Sequence, residues 1–301
     1  MSVTSTADPG VRGMWTLFEP VHALTYFAPQ ARAAFEDAGV RGFWRGYFAG
    51  RAAPLGAIGP APVIALFHSF SPAIVNRALP AVWELVTPQR ALELRAAGAA
   101  AALRALVPRD DPGAPDDPDG EVAALSDRLW QVASTVECGG RALGAANAVL
   151  PRPQDPYATL WQATATLREH RGDGHIAALV CAGLTGLEAI VLRAGADLDR
   201  AVMQPGRGWA DEEWARAVAG LHARGLVDAA GRATDDARSV LADVERTTDV
   251  AASGPWAGLV ADGGLRDLAT RLLPIARACA AALPSFNPIG LQTPWDPAAR
   301  T

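Results

Sequence analysis

The sequence predicts an all-α protein, with a helical N-terminal domain and a helical C-terminal domain that contains a winged-helix segment and its short β-wing. Three observations carry this reading. Apolar residues recur at three- and four-residue spacing through most of the chain, while the sustained alternation of strands is scarce. Half of the 301 residues are apolar, enough to bury one large core or two smaller ones. The stretch "PRDDPGAPDDPDG" at 108–120 is rich in proline, glycine and aspartate, suits neither helix nor strand, and divides the helical pattern into 14–107 and 121–284.

Taken in order, residues 1–13 are expected to be disordered. In "WTLFEPVHALTYF" (15–27), Thr16 and Glu19 have the spacing of a capping box, and Pro20 is tolerated only near a first turn. The helix proper is therefore expected to start near Pro20. "PQARAAFEDAG" follows, closed by Gly39, and "GFWRGYFAGRAAPLG" ends in a turn at Pro54 and Gly56. Further helices are expected over 60–70, 71–84 and 87–107. Beyond the linker come helical patterns at 121–149 and 155–171, separated by "PRPQDP", then short helices at 174–182 and 185–194. A helix at 210–224, a β-wing near 226–234, long helices at 235–251 and 263–283, and a proline-rich tail over 285–301 complete the chain.

All 27 basic residues are arginine. The absence of lysine excludes a lysine Schiff base, a phosphate-loop lysine and kinase-type nucleotide pairing. A net charge of −5 gives no general electrostatic reason for a nucleic-acid or acidic-membrane partner. Cys138, Cys181 and Cys279 are far apart, without a Cys-x-x-Cys pair, which fits a reducing compartment. No run reaches the roughly 18 apolar residues of a membrane span, and the N-terminus has no secretion signal, so a cytoplasmic protein is expected. "GRALGAAN" (140–147) lacks the preceding strand and the spacing of a dinucleotide fingerprint, and no Gly-x-Ser-x-Gly elbow occurs.

Residues 211–245 carry an amphipathic helix, Arg-Gly-Leu-Val, a polar turn, and Thr-Asp opening another helix. This segment, part of a winged helix over about 174–250, resembles the recognition helix and wing of MarR-type regulators, which read DNA as dimers. On that reading Arg216, Arg224 and Arg232 are the candidate DNA contacts. Residues 204–250, however, hold six arginines against nine acidic residues, a net of −3, and Asp211, Glu212 and Glu213 open the would-be reading helix. Non-specific DNA affinity is mostly phosphate neutralisation, so the local charge favours a packing or dimerisation role.

The stretches "LFEPVHALTYF", "FWRGYFAGRAAPLG", "GRALGAAN" and "LWQATATLREHRGDGHIAALV", with the winged-helix segment, resemble an actinobacterial family of helix-turn-helix proteins, over nearly the whole chain. The resemblance implies a fold and no catalytic residues.

Candidate site residues come from the residue pattern. In "LREHRGDGH" (167–175), Gly172-Asp173-Gly174 is expected to break a helix, with Asp173 capping the next one and His175 in its first turn. A histidine there is disfavoured as imidazolium and can serve as base, acceptor or metal ligand. Glu19 and His22 share a helix face at i, i+3. The expectation is that Glu19, His22, Tyr26, Arg51, Arg171 and Asp173 converge with His170 and His175 on a pocket for a small molecule, with the arginines suited to an anionic group. His170 or His175 is then the candidate acid or base. Glu19, His22 and His175 are the candidate metal ligands; no cofactor is otherwise indicated. The alternative is a ligand-responsive winged-helix regulator that binds DNA.

Overall fold

The computed structural model describes residues 8–109, 116–285 and 289–299. Residues 1–7, 110–115 and parts of the expected tail therefore lie outside the described segments.

The first helix, α1 (Pro9–Phe27), starts well before Pro20 and takes in residues expected to be disordered. Two contacts hold that extra length. The Asp8 carboxylate accepts from Gly10 N at 2.7 Å, and the expected tail crosses the helix with Trp295 lying on Gly13. Thr16 is accordingly no cap: its hydroxyl donates to the Gly13 carbonyl and accepts from Trp295 N at 2.8 Å. Next come α2 (Pro29–Asp37), α3 (Phe43–Ala52), α4 (Pro60–Phe67), α5 (Pro72–Ala78) and α6 (Pro88–Leu106). The expected helix over 121–149 is two helices, α7 (Pro118–Ala133) and α8 (Ala142–Ala148), separated by a loop in which Gly140 adopts a φ of 72°. Proline opens α1, α2, α4, α5, α6 and α7, where its missing N–H costs nothing and its fixed φ starts the turn.

The largest departure from expectation is α9 (Pro156–Cys181), a continuous 26-residue helix through Gly172-Asp173-Gly174. Neighbouring helices override the local turn signal. Asp173 caps α8 instead of its own helix, accepting from Gly144 N at 2.9 Å. At Gly174 the missing side chain lets Arg141 pass, and its guanidinium donates to the carbonyls of His170 and Ala251 at 2.6 and 2.7 Å. Glycine inside a helix costs about 1 kcal/mol relative to alanine, which these tertiary contacts offset.

Burial raises the Asp173 carboxyl from 3.8 to about 6, against the backbone bonds from Gly144 and Leu143. A raised folded-state value means the group contributes stability at low pH that is lost as pH rises through about 6. Asp173→Asn keeps an acceptor without the charge, so it is expected to be at least as stable as wild type at pH 7. That advantage shrinks as the pH falls toward 4. Asp173→Ala, which removes the α8 cap, is expected to lose about 1–2 kcal/mol by urea denaturation.

After α9 come α10 (Gly186–Ala196), α11 (Arg200–Arg207) and α12 (Asp211–Ala223). α11 and α12 flank a three-residue turn at 208–210, with Gly208 at φ 75°, the form of a helix-turn-helix element. Among the described residues there is no strand: the expected wing is a turn closed by a single antiparallel bridge, Val227 to Ala233. Five residues, Asp228 to Arg232, make the turn between two flanks of only a few residues each, which leaves too little chain for a ladder. α13 (Asp235–Ala252), α14 (Ala257–Ala261) and α15 (Gly264–Ala282) follow.

The expected division at 108–120 does not separate the cores. One cluster joins Leu17 and Val21 of α1 and Leu103 of α6 to Leu125 of α7, Leu160 of α9 and Leu272 of α15. A second, aromatic cluster sits under α3 to α5 around Phe48, Phe67 and Phe70. The third, around Ile190, Met203, Trp214 and Leu221, belongs to the helix-turn-helix unit and the end of α9.

Candidate functional site

A cavity of about 210 Å³ lies where α1, α3, the corner after α4, α9, α10, α11 and α13 meet. It opens into a groove of about 710 Å³, with Trp15, His175, Arg193 and Glu245 lining both. The α9 face that borders it is made by Arg168, Arg171, His175 and Leu179, which recur at the helical repeat.

Four of the sequence-predicted residues meet at this cavity: Glu19, Arg51, Arg171 and His175. Arg51 grips Glu169 with two parallel bonds, Nε to Oε1 at 2.9 Å and Nη2 to Oε2 at 3.0 Å, over the Phe67 ring. Arg168 reaches Glu169 at 3.0 Å and Glu19 at 3.4 Å. Trp15 donates its indole N–H to Glu19 at 3.2 Å. Burial works against ionising Glu169, yet Arg51 and Arg168 hold its carboxyl far below 4.5. Arg171 bonds Glu245 at 2.9 Å and Asp249 at 3.2 Å while covering the Trp15 ring. His175 sits on α9 with Nδ1 3.0 Å from Thr248 Oγ1 and 3.6 Å from Glu245. Because α9 is continuous, no helix N-terminus keeps this imidazole neutral. Burial does so, lowering it to about 4, with Glu245 opposing and Arg171, Arg193 and His68 adding to the effect.

The other four do not join the cavity. His170 lies five residues before His175, roughly 140° around a continuous helix, and bonds the Glu137 carbonyl at 3.1 Å beside α8. Asp173 faces α8 as well. His22 lies beneath the site, stacked on Trp161, with Nε2 bonded to Tyr26 OH at 3.0 Å. Its Nδ1 is buried with no hydrogen-bond partner among the described residues, and burial lowers its pKa well below the ordinary value. Tyr26 packs at 4.7 Å from Tyr47 in the aromatic layer. The candidate metal set of Glu19, His22 and His175 is therefore not assembled, and among the described residues no group of three or more His, Cys, Asp or Glu could hold a metal ion.

Sequence reasoning did not single out Trp15, Glu245, Thr248 or Arg207 as site residues. Spacing could have found the first three. Trp15 is i−4 from Glu19, and Glu245, Thr248 and Asp249 share one face of α13. Arg207, from the helix before the helix-turn-helix turn, closes the cavity from the other side; it covers Phe70, and burial lowers it to about 10.

Of the candidate DNA contacts, Arg224 is paired with Glu188 at 3.0 Å and Arg232 with Asp228 at 2.9 Å. The exposed face of α12 presents Asp211, Glu212, Ala215, Arg216, Ala219 and Ala223. Among the described residues no single helix is long and apolar enough to cross a membrane. No curated protein and no solved structure matches the chain. A helix-turn-helix family model matches it from residue 11 to residue 285, and the chain belongs to that family.

Proposed function

We propose that the protein binds a small, partly apolar anion in the cavity between its N-terminal helices and its helix-turn-helix unit. The observation that carries this reading is the cavity's lining. Five arginines, Arg51, Arg168, Arg171, Arg193 and Arg207, face it against two glutamates, Glu19 and Glu245, while Phe67, Ile176, Ile190 and Met203 supply apolar wall. Concave, mostly apolar spaces with a few converging polar groups are the usual form of ligand sites. Three of the carboxylates that neutralise these arginines, Glu169, Asp197 and Asp249, are outside the lining. Asp197 and Asp249 line the groove outside, so within the cavity itself an anion meets five guanidinium groups and two carboxylates.

Calorimetric titration with benzoate and with benzamidine, its cationic counterpart of similar shape, tests this. Benzoate is expected to bind and benzamidine not. Arg193→Ala, at the junction of cavity and groove, is expected to weaken benzoate about tenfold through loss of one charge-assisted bond. Equal binding of the two probes, or of neither, overturns the reading.

The second reading, a ligand-responsive regulator that binds DNA as a dimer, is favoured by family membership and by the α11-turn-α12 geometry. The acidic start of α12 and the pairing of Arg224 and Arg232 weigh against tight DNA binding; Arg216 remains its exposed candidate contact. Fluorescence anisotropy with the gene's own upstream duplex and a scrambled duplex decides it. Sequence-selective binding that survives physiological salt and weakens in Arg216→Ala establishes the regulator; salt-labile, unselective binding removes it.

A further inference from the structure

We infer that His175 presents an unprotonated Nε2 to the cavity as a proton acceptor, so that the site can remove an acidic proton from a bound molecule. This deepens the ligand-binding reading and rests on it. The argument is one of hydrogen counting. Thr248 is fully buried, and its single hydroxyl hydrogen is donated to the Val244 carbonyl at 2.8 Å, within α13. With that hydrogen on Val244, the imidazole N–H is the donor in the 3.0 Å contact between His175 Nδ1 and Thr248 Oγ1, and the Glu245 carboxylate 3.6 Å from the same nitrogen favours a hydrogen there. A neutral ring that carries its hydrogen on Nδ1 has a lone pair on Nε2. Nε2 makes no hydrogen bond to protein among the described residues, and 31% of the side chain is exposed.

Burial keeps the ring neutral at rest, and Glu245 is the group that meets the charge it gains in reaction. The groups facing the ring are Glu245 from α13, Arg171 from its own helix, Arg193 from α10 and His68 from the corner after α4. Burial pushes Glu245 up, but Arg171, the ring and Arg12 hold it below its ordinary value, so a carboxylate stands 3.6 Å from Nδ1 when imidazolium forms. Arg171 and Arg193 lie where negative charge left on the substrate would be met. The substrate class is a compact molecule with a carbon- or oxygen-bound acidic proton whose removal leaves an anion.

A neutral probe tests this without knowledge of the natural ligand. With 5-nitrobenzisoxazole, Nε2 takes the ring C–H proton, the C–H electrons form the nitrile, the N–O bond breaks, and a coloured phenolate leaves toward the arginines. A benzene-sized guest needs a cavity of about 150 Å³, so the reacting edge of this probe fits, with the remainder in the groove. The wild-type protein is expected to show saturable elimination about 100-fold above an equal concentration of imidazole. His175→Ala and His175→Gln lose it, and His222→Ala, on the exposed end of α12, keeps it. The pH profile stays flat from neutral to about 5 and falls with the group near 4. Thr248 is a positioning residue: Thr248→Val lowers the rate about tenfold and moves the His175 ring-nitrogen NMR signals away from the Nδ1–H form. A wild-type rate equal to that of imidazole, a rate that survives both His175 variants, or ring-nitrogen shifts showing Nε2 protonated overturns the inference. Benzoate binding with Nε2 protonated leaves the ligand reading standing and removes this one. Elimination without benzoate binding does the reverse.

Discussion

Glu169→Ala is expected to destabilise the protein by about 3–5 kcal/mol, the cost of leaving buried charge uncompensated. Arg51 and Glu169 are 8% and 3% exposed, and Arg168, at 18%, draws on the same carboxylate. Removing the acid leaves Arg51 without its carboxylate partner and Arg168 with Glu19, at 3.4 Å. Glu169→Gln keeps the volume and one acceptor and is expected to lose less. The sign with pH follows from the depressed folded-state value. Stability from Glu169 is fully present above 4.5 and is lost as pH falls toward the folded-state value. The gap between wild type and Glu169→Gln in urea denaturation is therefore constant from pH 8 to about 5 and narrows below that. Arg51→Met distinguishes pairing from packing: it costs several kcal/mol in the wild type and little in the Glu169→Gln background. Equal cost in both backgrounds would show that the ion pair is not what holds α3 to α9.

How much of this was legible in the sequence depends on whether the deciding contact was local. Most helices in the first hundred residues announce themselves through proline at their first position and glycine or proline after their last, which are backbone effects read within a few residues. The helix at 211–223 was equally plain from its apolar repeat. Gly172-Asp173-Gly174 was misread because what keeps it helical comes from α8 and α13, where Gly144, Arg141 and Ala251 meet it. That one break scattered the site. With α9 continuous, residues 168, 171, 175 and 179 fall on one face and His170 on another, so the cavity side of the helix follows from spacing alone. The depth of His22 was not legible. A Glu-x-x-His pair shares a face, but only the packing of Trp161 against that face decides which of the two meets the cavity. The wing failed for a different reason: the residues of a turn between two extended pairs were present, but one bridge is all the chain length allows.

Gly186→Ala is expected to loosen the helix-turn-helix unit from the rest of the molecule. The first residue of α10 lies against the backbone of His68 and Ser69, and a Cβ placed at Gly186 would fall inside the His68 carbonyl. That corner has little freedom to retreat. His68 is a non-glycine residue at φ 46°, a conformation that persists only when its surroundings enforce it. Ser69 O accepts from Trp209 at 2.9 Å, Ser71 N donates to Arg207 O at 2.9 Å, and Ser71 Oγ donates to Gly208 O at 2.7 Å. The same short segment thus holds α10 and the turn between α11 and α12, and it also forms a wall of the cavity. Overpacking at such a point costs about 1–3 kcal/mol when side chains can yield, and here the obstacle is backbone. The expected result is a loss of at least that size, with hydrogen exchange accelerated in residues 186–223 ahead of α1, α7 and α15. Benzoate affinity should fall in parallel, because Arg193 and Arg207 retreat together with the unit that carries them. Uniform acceleration across all helices would mean that the unit and the helical body open as one, and that the corner at 67–71 transmits nothing particular between cavity and helix-turn-helix.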